Sequence, residues 1–306
     1  MRSHSLNRSI AEKITEVFQP RVPLWACELT PRHIILTGVT KNRRRVATKQ
    51  AAGLQPGAVT GSLTDRNIQD VEAVRSNLKE MLSHVTFKGG EMVVIVPDDA
   101  ARIAFLTAER LSKDPEEQQT FIRWKLKKTV PFDVDTAQLA FRVLGPHHTG
   151  AGVDLLVALS PRPVVEEYEN LFASLNIHAG LVLPSTLAAL NLFTVPAKDT
   201  LFLKIAPDCT TTTIFQNRRI QFYRRVAGLS PYDAVYPSVM YYQDKLGGKT
   251  LEQLTVCGYD SDIRSSLDEL EEKLGLRAER LEPKSVDDIF KPTLGGVHLS
   301  NPEGLL

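Results

Sequence analysis

Apolar positions repeat with two different periods along the chain. From Ser5 to Phe18 the residues Leu6, Ile10, Ile14, Val17 and Phe18 recur at helical spacing and Pro20 ends the run, which predicts an amphipathic helix within residues 1–20. Three strand-like runs follow, Leu24 to Leu29, Ile34 to Val39 and Arg45 to Ala51, parted by turn residues at Thr30-Pro31 and Lys41-Asn42. A helix is expected over Asp65 to His84. A buried strand is expected over Met92 to Val96, closed by Pro97-Asp98-Asp99, and a tight turn should join it to a strand over Arg102 to Thr107. Beyond these come a helix over Glu116 to Lys128 stopped by Pro131, strands over Gln138 to Leu144 and Val153 to Ser160, a helix over Val164 to Leu175, a strand over Ala179 to Leu183 and a helix over Ser185 to Phe193.

After Pro196 the pattern restarts. Strands are expected at Leu201 to Ala206, Thr211 to Gln216 and Arg219 to Arg225, then a helix over Pro231 to Leu246, a strand over Gln253 to Cys257 and a helix over Ile263 to Leu274. The three-strand opening thus occurs twice, roughly 170 residues apart, which points to duplicated lobes. The length of 306 residues agrees, since about 150 residues per domain implies two units with a cleft between them.

An apolar share of 42% and a charged share of 24% exclude disorder and coiled coil. A formal net charge of +1 excludes a general nucleic-acid field, so no nucleic-acid partner is expected. The local exception is Lys41 to Arg45 (KNRRR), between two strand-like runs where a hairpin turn belongs, and it reads as a charged turn tip. Cys27, Cys209 and Cys257 are scattered and unpaired in spacing, which argues against a disulfide framework or a zinc site and suits a reducing compartment. His147 and His148 sit in a Gly-rich loop without a third ligand nearby in sequence, so no metal site is expected there. No signal-peptide core and no run of about 18 apolar residues is found, so a secreted or membrane-spanning protein is not expected.

Two stretches carry a family resemblance. The segment Phe121 to Gly145 (FIRWKLKKTVPFDVDTAQLAFRVLG) places the turn Val130-Pro131-Phe132-Asp133 between a helix and a strand ending Leu144-Gly145. The segment Leu201 to Gly228 places Thr210 to Thr213, Arg218-Arg219, Arg224 and Gly228 in a hairpin frame. From Leu24 to Gly275 the chain resembles the PilM scaffolds of type IV pilus assembly and, more distantly, FtsA. The resemblance implies an α/β, actin-like ATPase (ribonuclease H-like) fold of two lobes with an inserted small α/β subdomain. Its implied boundaries are residues 21–77 plus 178–197 for the first lobe, 78–177 for the insert and 198–306 for the second lobe.

The departures from that family bear on function. Actin-like ATPases place Asp-x-Gly in the first hairpin, where the carboxylate holds a hydrated metal and glycine lets backbone amides approach phosphates. Here the frame reads Glu28-Leu29-Thr30, and Pro31 removes a donor. In the second hairpin it reads Lys204-Ile205-Ala206, with Thr210 and Thr211 following and Asp208 out of frame. Of the adenosine-side glycine pair only Gly258 remains, followed by Tyr259. The positions of the altered nucleotide loops are therefore Glu28, Thr30, Lys204, Thr210, Thr211 and Gly258, and no catalytic residue is assigned. None of G-x-x-x-x-G-K-[ST], H-E-x-x-H or G-x-S-x-G is present.

The resemblance then implies a cytoplasmic scaffold without ATP hydrolysis, at the inner face of the inner membrane and peripheral to it through its partners. Its partner would be the cytoplasmic tail of a PilN-like membrane protein, held between the first lobe and an insert running from Leu78 to Ile177, with PilO-like and pilus motor components reached indirectly. No cofactor is expected. The alternative is an ATP-binding switch or ATPase with Glu28 on Mg²⁺ and Lys204 on phosphates. A GspL-like type II secretion component is a second alternative, disfavoured because such chains continue into a transmembrane helix, whereas the stretch Pro292 to Leu306 reads as a loosely ordered, Gly-rich end.

Overall fold

A computed structural model describes residues 22–147, 150–206 and 209–298, without the side chains of residues 260–262. The amphipathic segment expected over residues 1–20, His148, Asp208 and residues 299–306 lie outside the described residues. Three sheets organise the rest. The first runs β3-β2-β1-β4-β8 and contains β1 (Trp25–Leu29), β2 (His33–Val39), β3 (Val46–Gly53), β4 (Gly90–Val96) and β8 (Ile177–Pro184). The second runs β11-β10-β9-β12-β13 and contains β9 (Thr200–Ile205), β10 (Cys209–Gln216), β11 (Arg219–Ala227), β12 (Gln253–Gly258) and β13 (Ala278–Arg280).

The two sheets repeat one plan. In each, an antiparallel three-strand meander opens the lobe, and two later strands add in parallel beside its first strand. The central strands are covered on both faces, which is why they read as continuous apolar runs. Helices α1 (Val71–Ser83) and α3 (Arg162–Ala173) bury Val74, Leu78, Tyr168 and Phe172 against the first sheet. Helices α5 (Pro231–Lys245) and α6 (Asp260–Leu274) bury Val235, Tyr242, Ile263 and Leu270 against the second. Local signals set the helix starts: Asp70 caps α1 by accepting from Ala73 N, and Ser230 with Pro231 starts α5.

The insert is smaller than its expected boundaries of 78–177. Its sheet, β5-β7-β6, uses β5 (Arg102–Ala108), β6 (Gln138–Pro146) and β7 (Val153–Ser160), covered by α2 (Pro115–Leu126). Strand β4 belongs to the first lobe because it pairs with both β1 and β8, and α3 belongs there because its apolar face joins that core. Nor are β4 and β5 hairpin partners, since β5 pairs with β7 in the other sheet. Only a single turn of 3₁₀ helix at Asp98–Ala100 separates them.

The carboxy-terminal stretch also departs from expectation. Helix α7 (Lys291–Val297) is buried along its length and packs on β1, β2, β4 and α4 (Ser185–Leu190), so it belongs to the first lobe and not to the second. Its glycines permit this approach: a Cβ at Gly295 would lie 1.9 Å from the carbonyl oxygen of Ala188. Lys291 is buried with it and is satisfied by Asp288 Oδ1 at 2.7 Å and by the Leu281 carbonyl. An apolar cluster joins the three units where Phe193, just beyond α4, meets Phe202 and Phe215 of the second lobe at ring distances of 5.3 and 5.0 Å, with Ile103 and Leu156 of the insert beside them.

Candidate functional site

The carboxyl ends of the central strands of the two large sheets face one another, the position at which α/β sheets open their ligand crevices. Glu28 lies one residue before the end of β1, Asp98 follows β4, Lys204 lies near the end of β9 and Gly258 ends β12. Asp98 is the hub. Its Oδ1 accepts from the Thr186 N–H at 2.7 Å, and its Oδ2 accepts from the Thr186 hydroxyl at 2.5 Å and from the Thr211 hydroxyl at 3.2 Å. Lys204 Nζ lies 3.8 Å from the same Oδ2, with side chains that are 8% and 2% exposed. Thr211 and Lys204 reach Asp98 together because they are opposite each other on β10 and β9.

Glu28 is the other carboxylate of this cluster. Its Oε1 accepts from the Ser185 hydroxyl, while Oε2 is buried without a hydrogen-bond partner among the described residues. Burial pushes its pKa up to about 7, with the Lys204 ammonium and Ser185 pulling it down and Asp98 raising it. For Lys204, burial favours the neutral amine, but the Asp98 and Glu28 carboxylates outweigh it and hold the ammonium above its usual range.

Other side chains draw the two lobes together around this cluster. Arg225 of β11 forms an ion pair with Asp99. The Tyr259 ring lies 5.7 Å from that of His33 at the start of β2. Burial raises the Tyr259 phenol, and Glu28 raises it further, against Lys204 and a hydrogen bond with Thr30.

Each position expected from sequence now has a place. Glu28, Lys204 and Thr211 come together at the cluster. Thr30 is committed to its own turn, where its hydroxyl accepts from the His33 N–H at 2.8 Å and donates to the His33 carbonyl at 3.0 Å. Thr210 is buried one residue from Thr211 on β10, and strand alternation turns it to the opposite face. Gly258 is a packing glycine: its φ is +153°, and a Cβ there would lie 1.9 Å from the Ile205 carbonyl oxygen. Asp98, Thr186, Ser185 and Arg225 were missed. The available signal was the acidic pair Asp98-Asp99, two and three residues beyond an apolar strand that pairs in parallel with β1.

The positions of the expected nucleotide loops are engaged within the protein itself. The Lys204 ammonium stands against carboxylates, Thr30 is used in its turn, Gly258 is occupied by backbone, and Tyr259 lies over the first hairpin. Among the described residues no group of three or more His, Cys, Asp or Glu could hold a metal ion.

A second feature lies between the first lobe and the insert. An apolar groove with a cavity of about 290 Å³ is lined by Leu139 and Ala140 of β6, Ala158 and Leu159 of β7, Val164 and Val165 of α3, and Ala179 to Val182 of β8. Both β8 and β6 are edge strands of their sheets. A groove flanked by free strand edges suits an extended peptide, whose backbone can pair with an edge while alternate side chains enter apolar pockets.

No protein-family model and no curated protein matches the sequence. Among solved structures, a chain of the PilM-PilN type IV pilus biogenesis complex superposes with a TM-score of 0.69 at 18% identity, over 92% of this chain and 98% of that one. A Bacteroides thetaiotaomicron protein with an actin-like ATPase fold and unknown function gives 0.52 at 8% identity, over 90% and 96%. The fold is that of the actin-like ATPases. The cytoplasmic domain of EpsL, an inner-membrane component of the Vibrio cholerae type II secretion system, also shares this actin-like fold, with a TM-score of 0.52 at 12% identity over 90% and 94%. No helix among the described residues is long and apolar enough to cross a membrane.

Proposed function

We propose that this chain is a non-hydrolysing, PilM-like scaffold of a type IV pilus or related secretion assembly. Its groove between β8 and the insert receives the extended cytoplasmic tail of a PilN-like membrane protein. PilO-like and motor components then associate through that protein, and the scaffold works at the cytoplasmic face of the inner membrane.

The observation that carries this reading is the Lys204–Asp98 pair. At the mouth of an actin-like cleft, an ammonium tethered to one lobe neutralises carboxylates of the other, the task a divalent ion performs when nucleotide bridges the lobes. Closure then needs no ligand, while the apolar groove beside the insert stays open. The chain's relation to the PilM-PilN complex structure supports the choice of partner.

Titration with Mg-ATP by calorimetry and thermal shift tests the first half. A ligand that binds only the folded state adds about 2.7 kcal/mol at a hundred times its Kd. The proposal expects no saturable shift at millimolar nucleotide. The second half is tested with synthetic peptides copied from the cytoplasmic tails of single-span membrane proteins encoded beside this chain, which should bind wild type and fail to bind an Ala140→Arg variant. One observation favours the switch alternative: the unpartnered Glu28 Oε2 is a buried acceptor open to a cation. A saturable Mg-ATP response weakened by Glu28→Ala and Lys204→Ala would establish that alternative.

A further inference from the structure

The groove between the first lobe and the insert is apolar except at one place. Glu169 of α3 is the one charged side chain among the described residues that line it. Two other polar side chains of the wall are committed within the protein: the Ser160 hydroxyl donates to the Ala100 carbonyl at 2.7 Å, and the Tyr168 hydroxyl donates to Asn67 Oδ1 at 3.1 Å. The neighbouring acids of α3 are held as well. Glu166 pairs with Arg162 at 2.8 Å, and Glu167 Oε2 accepts from the N–H groups of Asn67 and Ile68 at 2.8 and 3.0 Å. Glu169 is half-buried and takes part in no hydrogen bond or ion pair among the described residues, and the Arg162 guanidinium, whose field reaches it, is already bound to Glu166. A second carboxylate stands beside the same edge strand: a Cβ at Gly180 of β8 would lie 3.7 Å from Glu91 Cδ.

Resting on the peptide reading of the groove, we propose that Glu169 is its charge selector, pairing with a Lys or Arg side chain of the extended segment that docks there. A carboxylate in the wall of an apolar cavity loses hydration when an occupant fills that cavity, and the loss goes uncompensated unless the occupant brings a cation. Segments on the cytoplasmic side of a membrane span carry an excess of Lys and Arg. A tail of that origin supplies the charge that the groove lacks, whereas an acidic or uncharged apolar segment leaves Glu169 desolvated and is rejected for that reason. The spacing is specified too. Val165 and Glu169 both line the cavity and lie one helical turn apart, a rise of about 5.4 Å. Side chains on one face of an extended segment are about 6.7 Å apart. The cation therefore belongs two positions from an apolar residue that packs against Val165.

The test is selection from a random octapeptide library displayed on phage, with the full chain as bait, repeated with Ala140→Arg, Glu169→Gln and Glu169→Lys. Wild type should select sequences that carry Lys or Arg two positions from an apolar residue. Glu169→Lys should keep the apolar preference and exchange the cation for Asp or Glu. A synthetic copy of a selected peptide should bind Glu169→Gln about tenfold more weakly than wild type, and the gap should narrow as salt is raised. Both Glu169 variants should keep the wild-type melting temperature, because this carboxylate has no bond in the free protein to lose. Apolar peptides selected without a basic preference, or a basic preference that survives Glu169→Lys, would overturn the role of Glu169 and leave the groove standing as a peptide site. No selection by wild type, or selection unaffected by Ala140→Arg, would overturn both.

Discussion

The cleft between the lobes and the groove beside the insert are both places where an actin-like protein can receive a ligand, and they are built in opposite ways. The cleft is polar and fills itself: Lys204, Thr186 and Thr211 converge on Asp98, and Tyr259 lies over the first hairpin. The groove is apolar and open, with an unpaired strand edge on each side. The difference separates two tasks that a nucleotide-driven protein must couple. On the proposed function, cohesion of the lobes resides in the cleft and recognition in the groove. Substitutions in one should leave the other unchanged.

The largest break should come from Lys204→Ala. Removing the cation leaves buried carboxylates uncompensated, a loss of about 3–5 kcal/mol in denaturant unfolding, while a groove peptide keeps its affinity for the folded fraction. Next is Glu28→Gln. Because the folded-state pKa of Glu28 is raised to about 7, the folded protein binds this proton more tightly than the unfolded chain does. Stability from this group is therefore present at low pH and is lost as pH rises from the ordinary carboxyl range through about 7, by about 3 kcal/mol in total. Glu28→Gln should flatten that slope and make the protein more stable than wild type at pH 8; an unchanged slope would show that Glu28 does not titrate in the cleft. Thr186→Ala removes the hydroxyl donor from Asp98 and leaves the backbone one, and should cost about 1.5–3 kcal/mol by thermal unfolding. Smallest in stability, within about 0.5 kcal/mol because the site is exposed, is Ala140→Arg in the groove. Its effect should appear in peptide titration, as a loss of at least tenfold.

The sequence revealed the two regions unequally. The strands of both large sheets except the short, polar β13 were legible because they are apolar runs bounded by turn residues, and the repeated meander disclosed the two lobes. The limits of the insert were not, because β4 and β5 are both apolar and nearly contiguous; which sheet each joins depends on pairing with β8 and with β7, far along the chain. Glu28 and Lys204 were found by alignment to a hairpin frame. Asp98 was not, since its partners Thr186 and Thr211 are 88 and 113 residues away and no local spacing links them. Gly258 illustrates the reverse: its position was noted for a ligand, and the space it leaves is taken by the Ile205 carbonyl. Gly295 and Gly296 read as a flexible end because glycine is as common in loose chain as in tight packing, and only the neighbouring α4 distinguishes the two.

Helix α7 also bears on how the chain comes to be made. Leu294 and Val297 complete an apolar surface formed by Ala26, Val93 and Ile95, residues translated long before them. The first lobe to leave the ribosome is thus the last to be finished. Until residues 291–297 emerge, that surface stays uncovered, and nascent or truncated chains should lean on chaperones throughout synthesis of the second lobe.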